Sequence, residues 1–293
     1  MSRNLLDLSG KIDPLIIELF ADIANIAESM GIQFFVVGAT VRDMILMYGY
    51  GIQTTRATMD IDFGIQVVNW DQYEKFINGL ISTTYFKLTP QRRQRLEYKG
   101  IIMIDVIPFG AIAGPEYLLN WPKEDGIEMN TLGFMESYEY SLIVRLRENP
   151  VLDIRFASLA GLALMKIIAW NDNPARGGRD AEDLRLIVDN YLDAGNLERM
   201  YEKEIDIIDR LKEHGNVDYI RAGARLLGRD IAAIATPESK RKILEILDKE
   251  TGDKNRYKLV EKMTNSERWD TTGEFEENIE LLEQMKLGIL ETE

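Results

Sequence analysis

Asp60 and Asp62 are separated by a single residue in Met-Asp-Ile-Asp-Phe (59–63). On a β-strand successive side chains point to opposite faces, so the two carboxylates share one face while Met59, Ile61 and Phe63 share the other. Neighbouring carboxylates repel, and a divalent cation that prefers oxygen ligands, magnesium in particular, relieves that repulsion. An acidic pair also occurs as a merely solvated loop or strand edge. Asp105 adds weight to the metal reading, because it lies in Ile-Ile-Met-Ile-Asp-Val-Ile-Pro-Phe (101–109), an almost continuous apolar run that reads as a buried strand. A carboxylate isolated there is costly unless it is paired or metal-bound. If this strand neighbours the first, three carboxylates converge to hold two metal ions, one activating an attacking hydroxyl and one steadying the leaving phosphates. The structural alternative for Asp105 is a set of hydrogen bonds or an arginine partner.

Val-Val-Gly-Ala-Thr-Val-Arg-Asp (36–43) precedes the acids. Gly38 allows a tight turn after a strand, and the amides of the turn and of the helix behind it face any anion, phosphate included. Lys166 interrupts the apolar face formed by Leu162, Ala163, Ile167 and Trp170, and a buried ammonium needs an anionic partner. A triphosphate would serve, and so would Asp180 or Asp183; Ile168 and Trp170 read as core. Gln-Arg-Arg-Gln-Arg-Leu-Glu-Tyr-Lys (91–99) is the main basic cluster. As a strand it shows Arg93, Arg95 and Lys99 on one side, where they either guide phosphates or guard a solvated edge.

The elements that position these residues follow from periodicity. Asp13 and Pro14 open a helix whose Ile16, Ile17, Phe20, Ile23, Ala24 and Ala27 recur at helical spacing until Gly31. Gln33 to Val37 is a strand, Gly38 to Thr40 a turn, and Val41 to Tyr48 a helix. After a loop over Gly49 to Thr58 come the strand bearing Asp60 and Asp62, a helix over Trp70 to Ile81, and strands at Arg95 to Tyr98 and Ile101 to Ile107. Further strands or a hairpin are expected near Glu128 to Phe134, Tyr140 to Arg147 and Val151 to Phe156. From Ala157 the pattern turns helical: Ala157 to Asn171, Asp180 to Asp193, Leu197 to Glu213, Val217 to Ile234 and Pro237 to Asp248, with an acidic last thirty or so residues that read as a solvated helix or frayed tail. The expected fold class is α+β, a small mixed sheet flanked by helices over residues 1–156, followed by an all-helical domain over 157–293.

Composition narrows the chemistry. The sequence has no cysteine, which removes disulfides, zinc thiolate sites and cysteine nucleophiles. The single histidine, His214, stands at an expected helix end before Gly215, where a cation suits the helix dipole. A net charge of −14 opposes broad nucleic-acid binding and confines any such contact to a local basic patch. The first residues lack a signal-peptide core and no apolar run is of membrane-spanning length, so a cytoplasmic protein without membrane contact is expected.

The ordered set 36–43, 56–63 and 101–109 resembles the nucleotidyltransferases of the DNA polymerase β superfamily, and within it the AbiEii-type toxin nucleotidyltransferases. That family places an arginine and a Thr or Ser before the acidic pair, matched by Arg56 and Thr58. It follows with a lysine-bearing helix, matched by Lys166, and a basic residue and Lys-Asp-x-x-Asp, matched by Arg176, Arg179, Asp180 and Asp183. The resemblance covers roughly residues 34–184. Gly-Ala-Thr-Val-Arg-Asp (38–43) also looks like the start of CCA-adding tRNA nucleotidyltransferases, without their later helical motifs. Ala39 replaces the family's second Gly or Ser, leaving Thr40 to supply any hydroxyl to phosphate; the loop before the acidic pair is long; Arg179 replaces a lysine. The resemblance implies transfer of an NMP from an NTP to a hydroxyl acceptor, RNA such as tRNA or a protein, with two Mg2+ ions at Asp60, Asp62 and Asp105. It implies substrate contacts from Gly38, Ala39, Thr40, Arg42, Arg56, Thr58, Lys166, Arg176, Arg179, Asp180 and Asp183, and an antitoxin as a further partner. Two alternatives stand beside it: a nucleotide-binding or interaction protein of the same fold without turnover, as half of a toxin–antitoxin pair, and, more remotely, a glycosyltransferase using the acidic pair.

Overall fold

The computed structural model describes residues 5–54, 60–90, 94–122, 128–172, 178–213, 216–252, 257–264 and 272–292. Arg56, Thr58, Arg93, Arg176 and His214 lie outside the described residues. The chain divides into two compact units, residues 1–158 and 159–293.

In the first unit Asp13 caps α1 (Pro14–Ser29) by accepting from the Leu15 amide at 2.8 Å, and Leu19, Phe20, Ile23 and Ala27 form its buried stripe. The strands are β1 (Leu5–Asp7), β2 (Gln33–Val37), β3 (Asp60–Gln66), β4 (Phe86–Leu88), β5 (Arg95–Tyr98), β6 (Ile102–Phe109), β7 (Leu118–Asn120), β8 (Glu128–Asn130), β9 (Leu142–Glu148) and β10 (Val151–Phe156). Among the described residues eight of them build one mixed sheet in the order β1-β9-β10-β2-β3-β6-β5-β4, and β7 pairs with β8 apart from it. At its centre β3 runs antiparallel to β2 and parallel to β6, while β5 runs antiparallel to β6. Parallel strands need a crossover, and here α3 (Trp70–Ser82), capped by Asn69, and the β4–β5 hairpin lie between β3 and β6 in sequence.

Alternation sorts the central strands into two faces. Ile61, Phe63, Ile65, Leu96, Tyr98, Ile104 and Val106 are buried on one, where Phe20 of α1 meets Phe63 and Phe156 with ring centroids 5.8 and 5.9 Å apart. The opposite face is covered toward one end, where Phe35 packs on Phe109, and on Phe134 and Tyr138 of α4 (Phe134–Glu139). Beyond that cover the same face carries Asp60, Asp62, Arg95, Met103 and Asp105, all half-buried.

Three expectations for this unit are corrected. The segment Glu128 to Phe134 is a strand only as far as Asn130, because Gly133, at φ +91°, turns the chain into α4. The helix after β2 starts at Gly38 itself, with Val37 as its N-cap, so no separate turn intervenes: α2 (Gly38–Asp43) runs on as a π-helical segment, Met44–Gly49. Lys99 does not extend β5; it sits at φ +52° and pairs with Glu18 of α1 at 2.6 Å.

The second unit contains α5 (Leu159–Asp172), α6 (Gly178–Asn190), α7 (Leu197–Lys203), α8 (Ile205–Leu211), α9 (Tyr219–Ile234), α10 (Pro237–Thr251), α11 (Lys258–Met263) and α12 (Thr272–Glu291). Leu197 to Glu213, expected as one helix, breaks at Glu204 into α7 and α8 and ends in a two-residue ladder between β11 (Lys212–Glu213) and β12 (Asn216–Val217). The acidic end is neither solvated nor frayed through α12. Leu281, Leu282, Met285 and Ile289 line one side of that helix and are fully buried, while Glu277, Glu280 and Glu291 pair with Arg185, Arg221 and Arg225. Helices α9 and α12 approach so closely that a β-carbon on Gly228 would lie 2.0 Å from the Met285 carbonyl oxygen, and one on Gly288 2.0 Å from that of Arg225. No helix of the described residues is long and apolar enough to cross a membrane.

Candidate active site

The site grows out of strand register. In the parallel pair β3–β6, Asp62 stands opposite Asp105. In the antiparallel pair β5–β6, Arg95 stands opposite the same Asp105. Directly opposed residues share a face, so Asp62, Asp105 and Arg95 form a row across three strands, and Asp60 precedes Asp62 by two residues on the same face of β3.

Arg95 binds this row as a fork. Its Nε donates to Asp105 Oδ1 at 2.9 Å and its Nη2 to Asp105 Oδ2 at 2.7 Å, and Nη2 also donates to Asp60 Oδ2 at 3.0 Å. The Asp105 side chain is 13 % exposed and that of Asp60 40 %, so the cluster opens to solvent on the Asp60 side. The hydrogen bonds to Asp105, reinforced by the charges of Asp105, Asp60 and Asp62, hold the guanidinium proton more tightly than usual. Arg95 entered the sequence reading only as one of a basic cluster. The signal that identifies it is its antiparallel register with Asp105, which follows only once β5 and β6 are known to form a hairpin.

Gly38 borders the row. Its φ of +84° favours glycine, and a β-carbon there would lie 2.1 Å from Asp62 Oδ2. The arginine partner weighed for Asp105 is present, and Gly38 borders Asp62, the residue opposite Asp105. Thr40, 7 % exposed, donates its hydroxyl to the Asp60 carbonyl at 2.6 Å. This bond ties α2 to β3 and commits the hydroxyl proton that was expected on a phosphate. Arg42, expected at the substrate, is 2 % exposed and donates from Nε and Nη2 to Asp43 Oδ1 at 2.9 and 2.6 Å; an ion pair buried to this degree is a structural feature of α2. Ala39 is half-buried beside Gly38.

Among the described residues no three Asp, Glu, His or Cys side chains already form a metal-binding group. The donor set nevertheless fits a hard divalent ion. All three candidates are carboxylates, Asp60 and Asp105 already share one cation, and the Asp62 carboxylate fills the space that Gly38 leaves.

In the second unit Lys166 of α5 lies 2.7 Å from both Asp180 and Asp183 of α6, the carboxylate pairing that its sequence left open. Burial favours the neutral amine, but the charges of Asp183 and Asp180 outweigh it and raise the ammonium pKa above 10.5. Ile168 and Trp170 are buried, and Arg179 is exposed in the first turn of α6.

Three carboxylates on adjacent parallel strands of a mixed sheet, with a glycine-opened helix bordering one of them, are the arrangement expected above of a nucleotidyltransferase. The chain belongs to the AbiEii family: residues 24–269 match the family model described as nucleotidyl transferase AbiEii toxin, type IV TA system. Among curated proteins none matches the chain significantly. Similar solved structures are remote. The solution structure of the antibiotic-resistance factor ANT(2'')-Ia is 12% identical, with 68% of this chain and 97% of that one covered and a TM-score of 0.35. A CCA-adding enzyme in complex with ATP is 18% identical over 91% of this chain and 66% of that one, with a TM-score of 0.30. The Thermotoga maritima CCA-adding enzyme complexed with tRNA is 15% identical over 97% and 83%, with a TM-score of 0.27.

Proposed function

We propose that this nucleotidyltransferase moves an NMP from an NTP to a hydroxyl acceptor, using Asp60, Asp62 and Asp105 as ligands for magnesium. The acceptor hydroxyl releases its proton to solvent and its oxygen forms a bond to the α-phosphorus as the bond from that phosphorus to the β-phosphate bridging oxygen breaks, and pyrophosphate leaves. Magnesium at the three carboxylates supplies a lowered pKa for the acceptor hydroxyl and charge compensation for the leaving group. The protein's own contribution is placement. Register sets Asp105 against Asp62, Thr40 fixes the β3 backbone at Asp60, and Gly38 lets the helix start approach without a side chain in the way. The observation that carries the reading is that carboxylates from two neighbouring strands already lie within reach of one cationic group on the open face of the sheet.

The acceptor we favour is RNA, with tRNA 3′ ends as first choice and a protein hydroxyl as second. The net charge of −14 confines an RNA contact to a small, salt-sensitive area. The family description also supports a toxin with an antitoxin as its counterpart. The test is incubation of the protein with each of the four labelled NTPs, magnesium, and total RNA or total protein. Label should pass to one acceptor class with wild-type protein and fail to pass with Asp60→Ala and Asp105→Ala; equal labelling by those variants would overturn the assignment. The hold of Arg95 on Asp105 favours one second reading, a fold that binds a partner without turnover. Calorimetric titration with each NTP and magnesium separates the two, since a pure interaction module shows no metal-dependent nucleotide binding.

A further inference from the structure

The acidic row already contains a cation supplied by the chain. Asp60 and Asp105, two carboxylates, share the one guanidinium of Arg95, so this pair keeps an excess of negative charge and still attracts a divalent ion. Arg95 takes both oxygens of Asp105 and one of Asp60, which are donors that a metal at this site requires. The ion and the guanidinium therefore compete for the same lone pairs. The Arg95 side chain is 24 % exposed, so solvent weakens its hold, and an ion of twice its charge can displace it. The backbone need not move. The Arg95 carbonyl accepts from the Thr89 amide at 3.1 Å, and the Val106 amide donates to the Gln94 carbonyl at 2.8 Å, so β5 stays stitched between β4 and β6 while the side chain swings.

We propose that Arg95 and the metal exchange places: the guanidinium holds Asp60 and Asp105 together in the metal-free protein, gives them up when a divalent ion enters, and then takes a phosphate of the incoming triphosphate. This rests on the reading of the three carboxylates as the metal site. A guanidinium displaced by a cation needs a new anion close by, and its two-pronged geometry suits phosphate as well as carboxylate. Arg95 is thus a positioning residue that couples loading of the ion to loading of the nucleotide. In the metal-free protein it also spares Asp60 and Asp105 their mutual repulsion.

The exchange makes a prediction of opposite signs. Arg95→Met retains the aliphatic stem and removes the competitor, so Mn2+ affinity, read from the electron paramagnetic resonance signal of free Mn2+, should rise about fivefold as expected for loss of one modest charge competitor. Inorganic triphosphate, titrated calorimetrically into the magnesium-saturated variant, should bind about tenfold more weakly for want of the same charge. Arg95→Lys keeps the charge but loses the fork, and should fall between wild type and Arg95→Met in both measurements. Far-UV circular dichroism and the unfolding midpoint confirm that each variant folds. Unchanged or weaker Mn2+ binding in Arg95→Met, or triphosphate binding equal to wild type, overturns the exchange. Asp60→Asn and Asp105→Asn separate the two levels. If both lose Mn2+ while Arg95→Met matches wild type, the metal site stands and the exchange fails; if both bind Mn2+ like wild type, the metal-site reading fails with it.

Discussion

The carboxylate of Asp62 occupies the volume in which any side chain at position 38 would begin. A β-carbon on Gly38 would lie 2.1 Å from Asp62 Oδ2, and the backbone there has φ +84°. Gly38→Ala therefore forces the carboxylate aside or strains the start of α2. Displacement of a reacting group by about 1 Å costs on the order of a hundredfold in rate, and NMP transfer by Gly38→Ala should fall at least that far while its circular dichroism stays that of the wild type. Full activity in a folded Gly38→Ala protein would remove Asp62 from the chemistry.

Lys166 should govern the stability of the second unit at alkaline pH. Its folded-state pKa lies above 10.5, so its pairing with Asp180 and Asp183 contributes fully below that pH and is lost as pH climbs through the raised folded value. Lys166→Met leaves two half-buried or buried carboxylates without their cation, at a cost of about 3 kcal/mol. Adding Asp180→Asn and Asp183→Asn should recover most of it. Urea titrations at neutral pH and above pH 10.5 check both points: the single variant should be markedly weaker than wild type at neutral pH, and the gap should narrow in alkali.

Gly228 and Gly288 permit the contact between α9 and α12. With a β-carbon 2.0 Å from a facing backbone oxygen in either case, the helices must separate and lose packing around Leu281, Leu282 and Met285. Gly228→Ala is expected to cost about 3 kcal/mol, the upper part of the range for overpacking because the obstacle is backbone. The readout is a lower urea midpoint, with hydrogen exchange quickened in α9 and α12 and unaltered in β3 and β6.

Glu291 should shape the acid limb of stability. Hydrogen bonds from Arg225, opposed by burial and aided by Arg229, hold its pKa below the usual 4.5. A depressed carboxylate pKa gives stability above the unfolded value that is lost as pH falls through the folded value. Glu291→Gln should thus be less stable than wild type at pH 7, and the difference should shrink as pH drops below 4.5, followed by thermal unfolding across that range.

The elements that position the acids were legible because local signals agree there. Asp13-Pro14 marks the start of α1, the apolar run Gln33 to Val37 is β2 without change of boundary, and alternation around Asp60 and Asp62 marks β3. The short edge strands β1 and β4 have no such signal, since three residues cannot display a period, and the partner of β1 is remote in sequence as well. Helix α12 was obscured by its acidic composition, whose charges are answered by arginines on α6 and α9 that no local window contains. Arg95 was hidden for a related reason: its meaning lies in the residue across the strand pair. Thr40 and Arg42 are buried, which a motif, giving residue type and order, does not disclose.

The parallel pairing of β3 with β6 also fixes when the protein can act. Asp60 and Asp62 leave the ribosome well before Asp105, and a whole helix and hairpin must be laid down before the third acid can stand beside the first two. Contacts so distant in sequence form late and together with the sheet. A nascent chain that has not yet formed β6 therefore holds two of the three carboxylates of the row, and the site proposed above cannot assemble before that strand is in place.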